Sequence, residues 1–131
     1  MPDFAVAVTC IDGRFHEALT SWMRPRFDVT HIDLVTAPGV SAALATGDAG
    51  VTEGTLARLR PSLEAHHAAA VVLAAHEDCA GDPSRRREQL ADLTLATARL
   101  RARLGDARPI VGVHLGIDGT ITLAPDRASD R

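Results

Sequence analysis

The chain alternates short, continuous apolar runs with stretches in which apolar residues return at helical spacing, and that alternation predicts its architecture. Phe4-Ala5-Val6-Ala7-Val8 is short and rich in β-branched residues, as expected for a strand buried on both faces, and Cys10 follows closely. From Phe15 onward, Leu19, Trp22 and Met23 keep to helical spacing, and Pro25 supplies a stop signal. A second strand is expected over residues 29–35, ahead of the turn signal Ala37-Pro38-Gly39. Residues 40–50 are rich in Ala and Gly and carry no clear period. Beyond them, Thr52 and Thr55 precede Leu56, Leu59 and Leu63 on one helical face. A helix there must absorb Pro61, as a kink or as the first turn of a second segment.

Residues 69–75, centred on Val71-Val72-Leu73, form the clearest buried strand, and His76 begins its exit. Asp82-Pro83 reads as an N-cap followed by proline at the first helical position. Leu90, Leu93, Leu100 and Leu104 then make the stripe of a helix ending at Gly105. Residues 110–115 predict another strand, and Asp118-Gly119 suits a tight turn into Ile121-Thr122-Leu123. This order predicts a single α/β domain over residues 1–124. Its sheet is mainly parallel, of about four strands, with helices on both faces and a C-terminal hairpin strand added. Residues 125–131 are expected to be a frayed polar tail. In such sheets ligands gather at the C-terminal ends of the strands, where both of the chain's cysteines are expected.

Composition narrows the chemistry. A chain of 131 residues, 46% of them hydrophobic, suits one ordinary core. Its 14 basic and 17 acidic residues are interspersed, so no basic face is offered to a nucleic acid. No apolar run approaches the roughly 18 residues of a membrane span, and the start lacks the basic region and cleavage site of a signal peptide. A cytoplasmic protein is expected. Every basic residue is Arg, and there is no Lys, Asn or Tyr. Schiff-base chemistry, a phosphate-loop lysine and a phenolic acid or base are thereby excluded.

The two cysteines each stand among groups that a metal or a nucleophile would use: Cys10-Ile11-Asp12-Gly13-Arg14 and His76-Glu77-Asp78-Cys79. In an extended exit from the first strand, positions 10, 12 and 14 project to one side, so Cys10, Asp12 and Arg14 converge. The step from His76 to Cys79 is about one turn, which lets an imidazole and a thiolate face one centre. Two thiolates and an imidazole suit zinc, with a fourth tetrahedral position left for water or a carboxylate. Because two thiolates cancel the charge of the ion, its water would be less acidic than in a three-histidine site. Asp12 can accept a hydrogen bond from that water while Arg14 holds the carboxylate, or Asp12 can itself ligate zinc and close the site. The Cys-to-Arg spacing is too short for a phosphatase-type cradle, and no Cys-x-x-Cys pair is present.

These motifs resemble those of the β-class carbonic anhydrases, which combine Cys-x-Asp-x-Arg with a later His-x-x-Cys, over roughly residues 4–116 here. The resemblance implies that Cys10, His76 and Cys79 bind Zn²⁺ and that Asp12 and Arg14 form the catalytic dyad. It implies attack of zinc-bound hydroxide on carbon dioxide to give bicarbonate, and assembly as a homodimer or higher homo-oligomer. The chain also departs from the family pattern. The first strand is expected to begin almost at Met1, so the N-terminal helical arm that family members commonly use for dimerisation is expected to be missing. The only glutamine, Gln89, stands in the late helix rather than before the first motif, and the family's pocket aromatics have no clear counterpart. Ala37-Pro38-Gly39 occupies the place of an Asn-Ala-Gly-like segment. Two other readings stay open: a zinc hydrolase acting on carbonyl sulfide or carbon disulfide, and a non-catalytic, zinc-stabilised binding domain.

The remaining polar residues have plainer readings. Two buried thiols and a turn-closing Asp12–Arg14 ion pair are the structural alternatives for the motifs themselves. His114, near a strand end, could shuttle protons, but a lone histidine there more often packs. His66-His67 precedes a strand, away from the expected site. Arg85-Arg86-Arg87 opposes the dipole of its helix and reads as a solvated face. Glu77 and Asp78 are turn residues or outer partners of the site, and Gly39 and Gly81 permit tight backbone at its rim.

Overall fold

The computed structural model describes residues 3–126. Strand β1 (Phe4–Thr9) runs through a 3₁₀ turn, Gly13–Phe15, into helix α1 (His16–Phe27), which returns to β2 (His31–Thr36). Helices α2 (Val40–Ala45) and α3 (Ala49–Arg60) follow, then the π-helical turn Pro61–Ala65 and β3 (Val71–His76). Helix α4 (Arg86–Leu104) leads to β4 (Ile110–Leu115) and the short β5 (Ile121–Leu123). The sheet order is β2-β1-β3-β4-β5; every pair is parallel except the last. The expected α/β domain, with four parallel strands and an added C-terminal hairpin strand, is thus the observed one.

The period-two alternation of the central strands builds two cores. Ala5, Ala7, Val72, Ala74, Val113 and Leu115 meet Leu19 and Met23 of α1 on one face. Val6, Val8, Val71, Leu73 and Ala75 meet Leu44, Leu56, Leu59, Leu93 and Leu100 of α2–α4 on the other. Both faces of β1 and β3 are therefore dry, and each large buried aliphatic side chain contributes roughly 1.5–3 kcal/mol. Glycine at position 112 lets α4 lie close on β4: a Cβ there would come within 3.2 Å of Thr97 and 3.3 Å of Leu93.

Several boundaries differ from the sequence reading, each for a local reason. Helix α1 does not stop at Pro25 but runs to Phe27, where Asp28 takes a left-handed conformation (φ 53°) and caps back to the Arg24 carbonyl. Pro25 deletes one backbone donor, which an exposed last turn tolerates. Asp82 is not the N-cap of α4, and Pro83 is not its first residue. The Asp82 carboxylate is committed to the Ser84 backbone N–H (3.2 Å) and hydroxyl (2.5 Å), so the helix begins at Arg86, after Arg85. Helix α3 starts at Ala49, inside the stretch that carried no clear period, because Asp48 accepts from the Val51 N–H at 2.9 Å and caps it. Pro61 opens the second, wider turn, the outcome expected of it as a segment boundary. Of the predicted tail, the Pro125 carbonyl accepts from Thr94 at 2.8 Å; residues 127–131 lie outside the described residues.

Candidate metal centre

From β1 the chain crosses to β2 on one side and then returns to β3 on the other, so the crevice between the C-terminal ends of β1 and β3 is the sheet's switch point. Cys10 leaves the first of these strands, and His76 and Cys79 leave the second. All three are buried, and their Sγ, Nε2 or Nδ1, and Sγ ligand atoms lie within 4.8 Å of one another. They are the one such cluster among the described residues.

The surroundings of the three side chains bear on whether they could hold a metal. Nδ1 of His76 lies 2.7 Å from the Glu77 carbonyl, which can only accept, so Nδ1 carries the proton and Nε2 presents its lone pair. That Nε2 is buried and has no partner among the described residues. The Phe15 ring stacks on the imidazole at 4.3 Å and fixes its plane. Sγ of Cys10 and Sγ of Cys79 are 3.8 Å apart. A disulfide would bring them to about 2.0 Å, whereas a tetrahedral ion bound by thiolates at about 2.3 Å separates them by about 3.8 Å. Distance, burial and an orphaned lone pair all fit a metal.

Backbone N–H groups tune the two sulfurs. Burial pushes the Cys10 thiol up. The Gly39 N–H, the neighbouring His76 side chain, the Asp12 N–H and Cys79 together outweigh that and bring it down to about 7. Cys79 stays raised: burial dominates, Gly81 and Asp82 N–H groups oppose it, and the neighbouring Cys10 raises it further. The Gly39 donor comes from a loop in close contact with Gly81, where an added Cβ on Gly39 would lie 2.5 Å from the Gly81 carbonyl oxygen. Gly39 also has φ +55°. Gly39→Ala is therefore expected to cost about 1–3 kcal/mol through strained backbone. Urea unfolding of the metal-free protein measures it, and an unchanged midpoint would contradict so tight an approach.

Asp12 and Arg14 converge at the outer side of the cluster, but not through an extended strand exit. Asp12 caps the 3₁₀ turn by accepting from the Arg14 backbone N–H at 3.0 Å, and the turn swings the guanidinium back over the carboxylate. Arg14 Nε donates to both carboxylate oxygens at 3.1 Å and its terminal nitrogen to Oδ2 at 2.7 Å. The side-chain bonds from Arg14, then its backbone N–H, hold the Asp12 carboxyl down at about 2. Arg14 is braced in turn by the Asp78 carbonyl at 3.2 Å and carboxylate at 3.4 Å. Oδ2 of Asp12 stands 4.0 Å from Nε2 of His76, beside the cluster rather than within it.

Similarly, the His76-to-Cys79 step is not a helical turn: Asp78 adopts φ +58° and bends the loop, and Cys79 pairs with Asp82. Glu77 is an outer brace, its carboxylate accepting from Ile117 N–H at 2.8 Å. His66 lies at the opposite strand ends, bonded to Asp33 at 2.6 Å and stacked on Phe4. Arg86 reaches Thr122 at 2.9 Å, while Arg85 and Arg87 are exposed, as a solvated face requires. Asp78, bonded to Arg14, takes one of the two roles expected of it, whereas Phe15 had no sequence signal beyond proximity to the motifs. Gln89 had none at all: it reaches from α4 to line the small cavity behind Cys10, His76 and Cys79, a cavity with room for about one water.

The fold is an open α/β sheet carrying, at its switch point, a buried Cys-His-Cys cluster that could hold a metal ion. A family model described as "Putative carbonic anhydrase" matches residues 1–124, and the chain belongs to that family. Among solved structures, a carbonic anhydrase from Glaciozyma antarctica is similar at TM-score 0.63 and 14% identity, covering 95% of this chain and 83% of that one. Two tetrameric β-carbonic anhydrases from Sordaria macrospora are represented by a chain at TM-score 0.50 and 15% identity, with coverage of 93% and 80%. At these identities the likeness is one of fold. No curated protein sequence matches the chain.

Proposed function

We propose that the chain is a zinc enzyme that reversibly hydrates carbon dioxide to bicarbonate, with Cys10, His76 and Cys79 as metal ligands and Asp12 and Arg14 as the catalytic dyad. The observation that carries the reading is the buried, unpartnered Nε2 of His76 facing two thiols 3.8 Å apart, with a pinned carboxylate alongside. Soft thiolates with one imidazole favour zinc over the hard cations. When bound, zinc supplies the Lewis acidity that makes a water nucleophilic near neutral pH. The Glu77 carbonyl holds His76 in its ligating tautomer, and the loop N–H groups stabilise both thiolates.

Asp12 is an acceptor, not a proton donor, at any working pH, because Arg14 keeps its carboxyl at about 2. It accepts a hydrogen bond from the attacking water and orients it toward the substrate carbon. Arg14 occupies both carboxylate oxygens and keeps Asp12 from moving onto the metal. This supports the open arrangement over the closed one.

The substrate is a small molecule, and the enzyme is proposed to work in the cytoplasm as a homodimer or higher homo-oligomer. Among the described residues no helix is long and apolar enough to cross a membrane. Assembly is supported by the tetrameric relatives from Sordaria macrospora and by β2, an edge strand with Leu34 40% exposed. One preparation measured for zinc content and for carbon dioxide hydration from pH 6 to 9 tests the whole reading. Stoichiometric zinc with hydration is expected. Full zinc without hydration, or hydrolysis of carbonyl sulfide alone, would overturn the reaction, and absence of zinc after anaerobic reconstitution would overturn the site.

A further inference from the structure

Gln89 and His114 are each 1% exposed, deep between α4 and β4, and neither belongs to the metal cluster or the Asp12–Arg14 pair. The Gln89 amide nitrogen donates to the Asp82 carbonyl at 3.2 Å, and its Oε1 lies 2.7 Å from His114 Nε2. A backbone carbonyl only accepts, so the amide NH₂ must face Asp82 and the oxygen must face His114. His114 Nε2 is then the donor. The result is a one-way chain, His114 N–H to Gln89 C=O and Gln89 N–H to Asp82 C=O, rooted in a central strand and a long helix.

Its far end is the loop that presents a metal ligand. Asp82 pairs with Cys79, its N–H donating to the Cys79 carbonyl at 3.3 Å. The N–H groups of Gly81 and Asp82 favour the Cys79 thiolate against the burial that raises its pKa. The Asp82 side chain is spent on Ser84, leaving its carbonyl as the loop's tie to the interior. Gln89 makes that tie while lining the cavity beside Cys10, His76 and Cys79.

We propose that Gln89, oriented by His114, is a positioning residue that holds the Cys79–Asp82 loop and so sets the aim of the Cys79 thiolate. The inference rests on the metal reading above but not on the reaction. An amide suits this task because its oxygen accepts from one fixed donor while its nitrogen donates to one fixed carbonyl. A carboxylate has no proton for Asp82, and a thioether has neither function.

The test uses full-length protein at pH 8, comparing parent, Gln89→Met and Gln89→Glu. Zinc affinity is read by competition with a chromophoric chelator, and cobalt(II)-loaded protein is read for its thiolate charge-transfer band. Gln89→Met is expected to lower affinity about 10–100-fold, the usual scale for partners of metal ligands, and to shift the band. Gln89→Glu keeps the size and the acceptor for His114, replaces the donor to Asp82 with a carboxylate oxygen that repels its carbonyl, and is expected to show the same loss. Parental affinity and an unmoved band in Gln89→Glu would overturn the proposal, even if Gln89→Met does not fold. A variant that only lowers the unfolding midpoint of the metal-free protein would overturn it too, since Gln89 would then be packing alone. A parent that binds zinc but hydrates nothing sinks the reaction and leaves this inference standing.

Discussion

His76→Leu is expected to abolish stoichiometric zinc binding and hydration while leaving the metal-free protein nearly as stable as the parent. The two effects diverge because Nε2 is a buried polar atom with no partner among the described residues. Such an atom costs about 1–3 kcal/mol until something binds it. Leucine removes that cost together with the Nδ1–H bond to the Glu77 carbonyl, itself worth about 1 kcal/mol, so the two changes roughly cancel. Zinc, by contrast, binds only the folded parent and raises its stability by mass action, about 4.1 kcal/mol at a thousandfold excess over the dissociation constant. Thermal unfolding of parent and variant, each with and without zinc, reads all four states. The expected pattern is a large zinc-dependent rise in Tm for the parent and none for His76→Leu. A variant that still responds to zinc would remove His76 from the ligand set. A variant far less stable than the metal-free parent would mean that the histidine is a packing residue and its unpaired nitrogen incidental.

How much of this was legible in the chain depends on the range of the interaction that decides each element. The strands were readable because burial on both faces demands uninterrupted apolar runs, and residues 110–115 match β4 residue for residue. Placing Cys10 and His76 at strand ends followed directly, whereas the switch point depends on the order β2-β1-β3, which no run along the chain announces. Where a side chain had two local partners available, the reading failed. Asp82 could cap a helix or close a turn with Ser84, and only the packed loop against Cys79 decides for the turn. Helix α2 was invisible because Val40–Ala45 is too short to show a period, and its start depends on a left-handed Gly39 pressed against Gly81, a contact 42 residues away in sequence. The convergence of Cys10, Asp12 and Arg14 was anticipated, but the strand alternation invoked for it was not the cause. Asp12 uses its own carboxylate to turn the chain, so one side chain both builds the bend and faces the cluster. Gln89 shows the limit most plainly: nothing in a leucine-striped helix marks one polar residue on its buried side as a tie to a loop seven residues upstream.

Asp12→Asn is expected to retain zinc and lose hydration by roughly 10²–10⁴-fold in kcat/KM, the range that a positioned proton-handling group contributes. Asparagine keeps the shape but offers an amide where the attacking water needs an acceptor, and it removes the charge that holds Arg14. Arg14→Gln separates charge from geometry. Arg14 depresses the Asp12 carboxyl to about 2, chiefly through its side-chain bonds. In the unfolded chain the group titrates near 3.8, so the pairing adds stability above that pH and loses it as the pH falls toward 2. Without the guanidinium the Asp12 pKa rises back toward its ordinary value, far below neutrality. Asp12 is therefore a carboxylate at pH 7 in both proteins, and any loss of rate in Arg14→Gln must come from aim or from capture of the freed carboxylate by the metal. About 10–100-fold is expected at pH 7, with the shape of the pH–rate profile between 6 and 9 unchanged. Carboxyl-carbon NMR of Asp12 checks the rise in pKa, and stopped-flow hydration checks the rate. Near-parental hydration in zinc-replete Asp12→Asn would reduce the pair to a turn-closing salt bridge. A new inflection between pH 6 and 9 in Arg14→Gln would show that the arginine governs a protonation rather than a position.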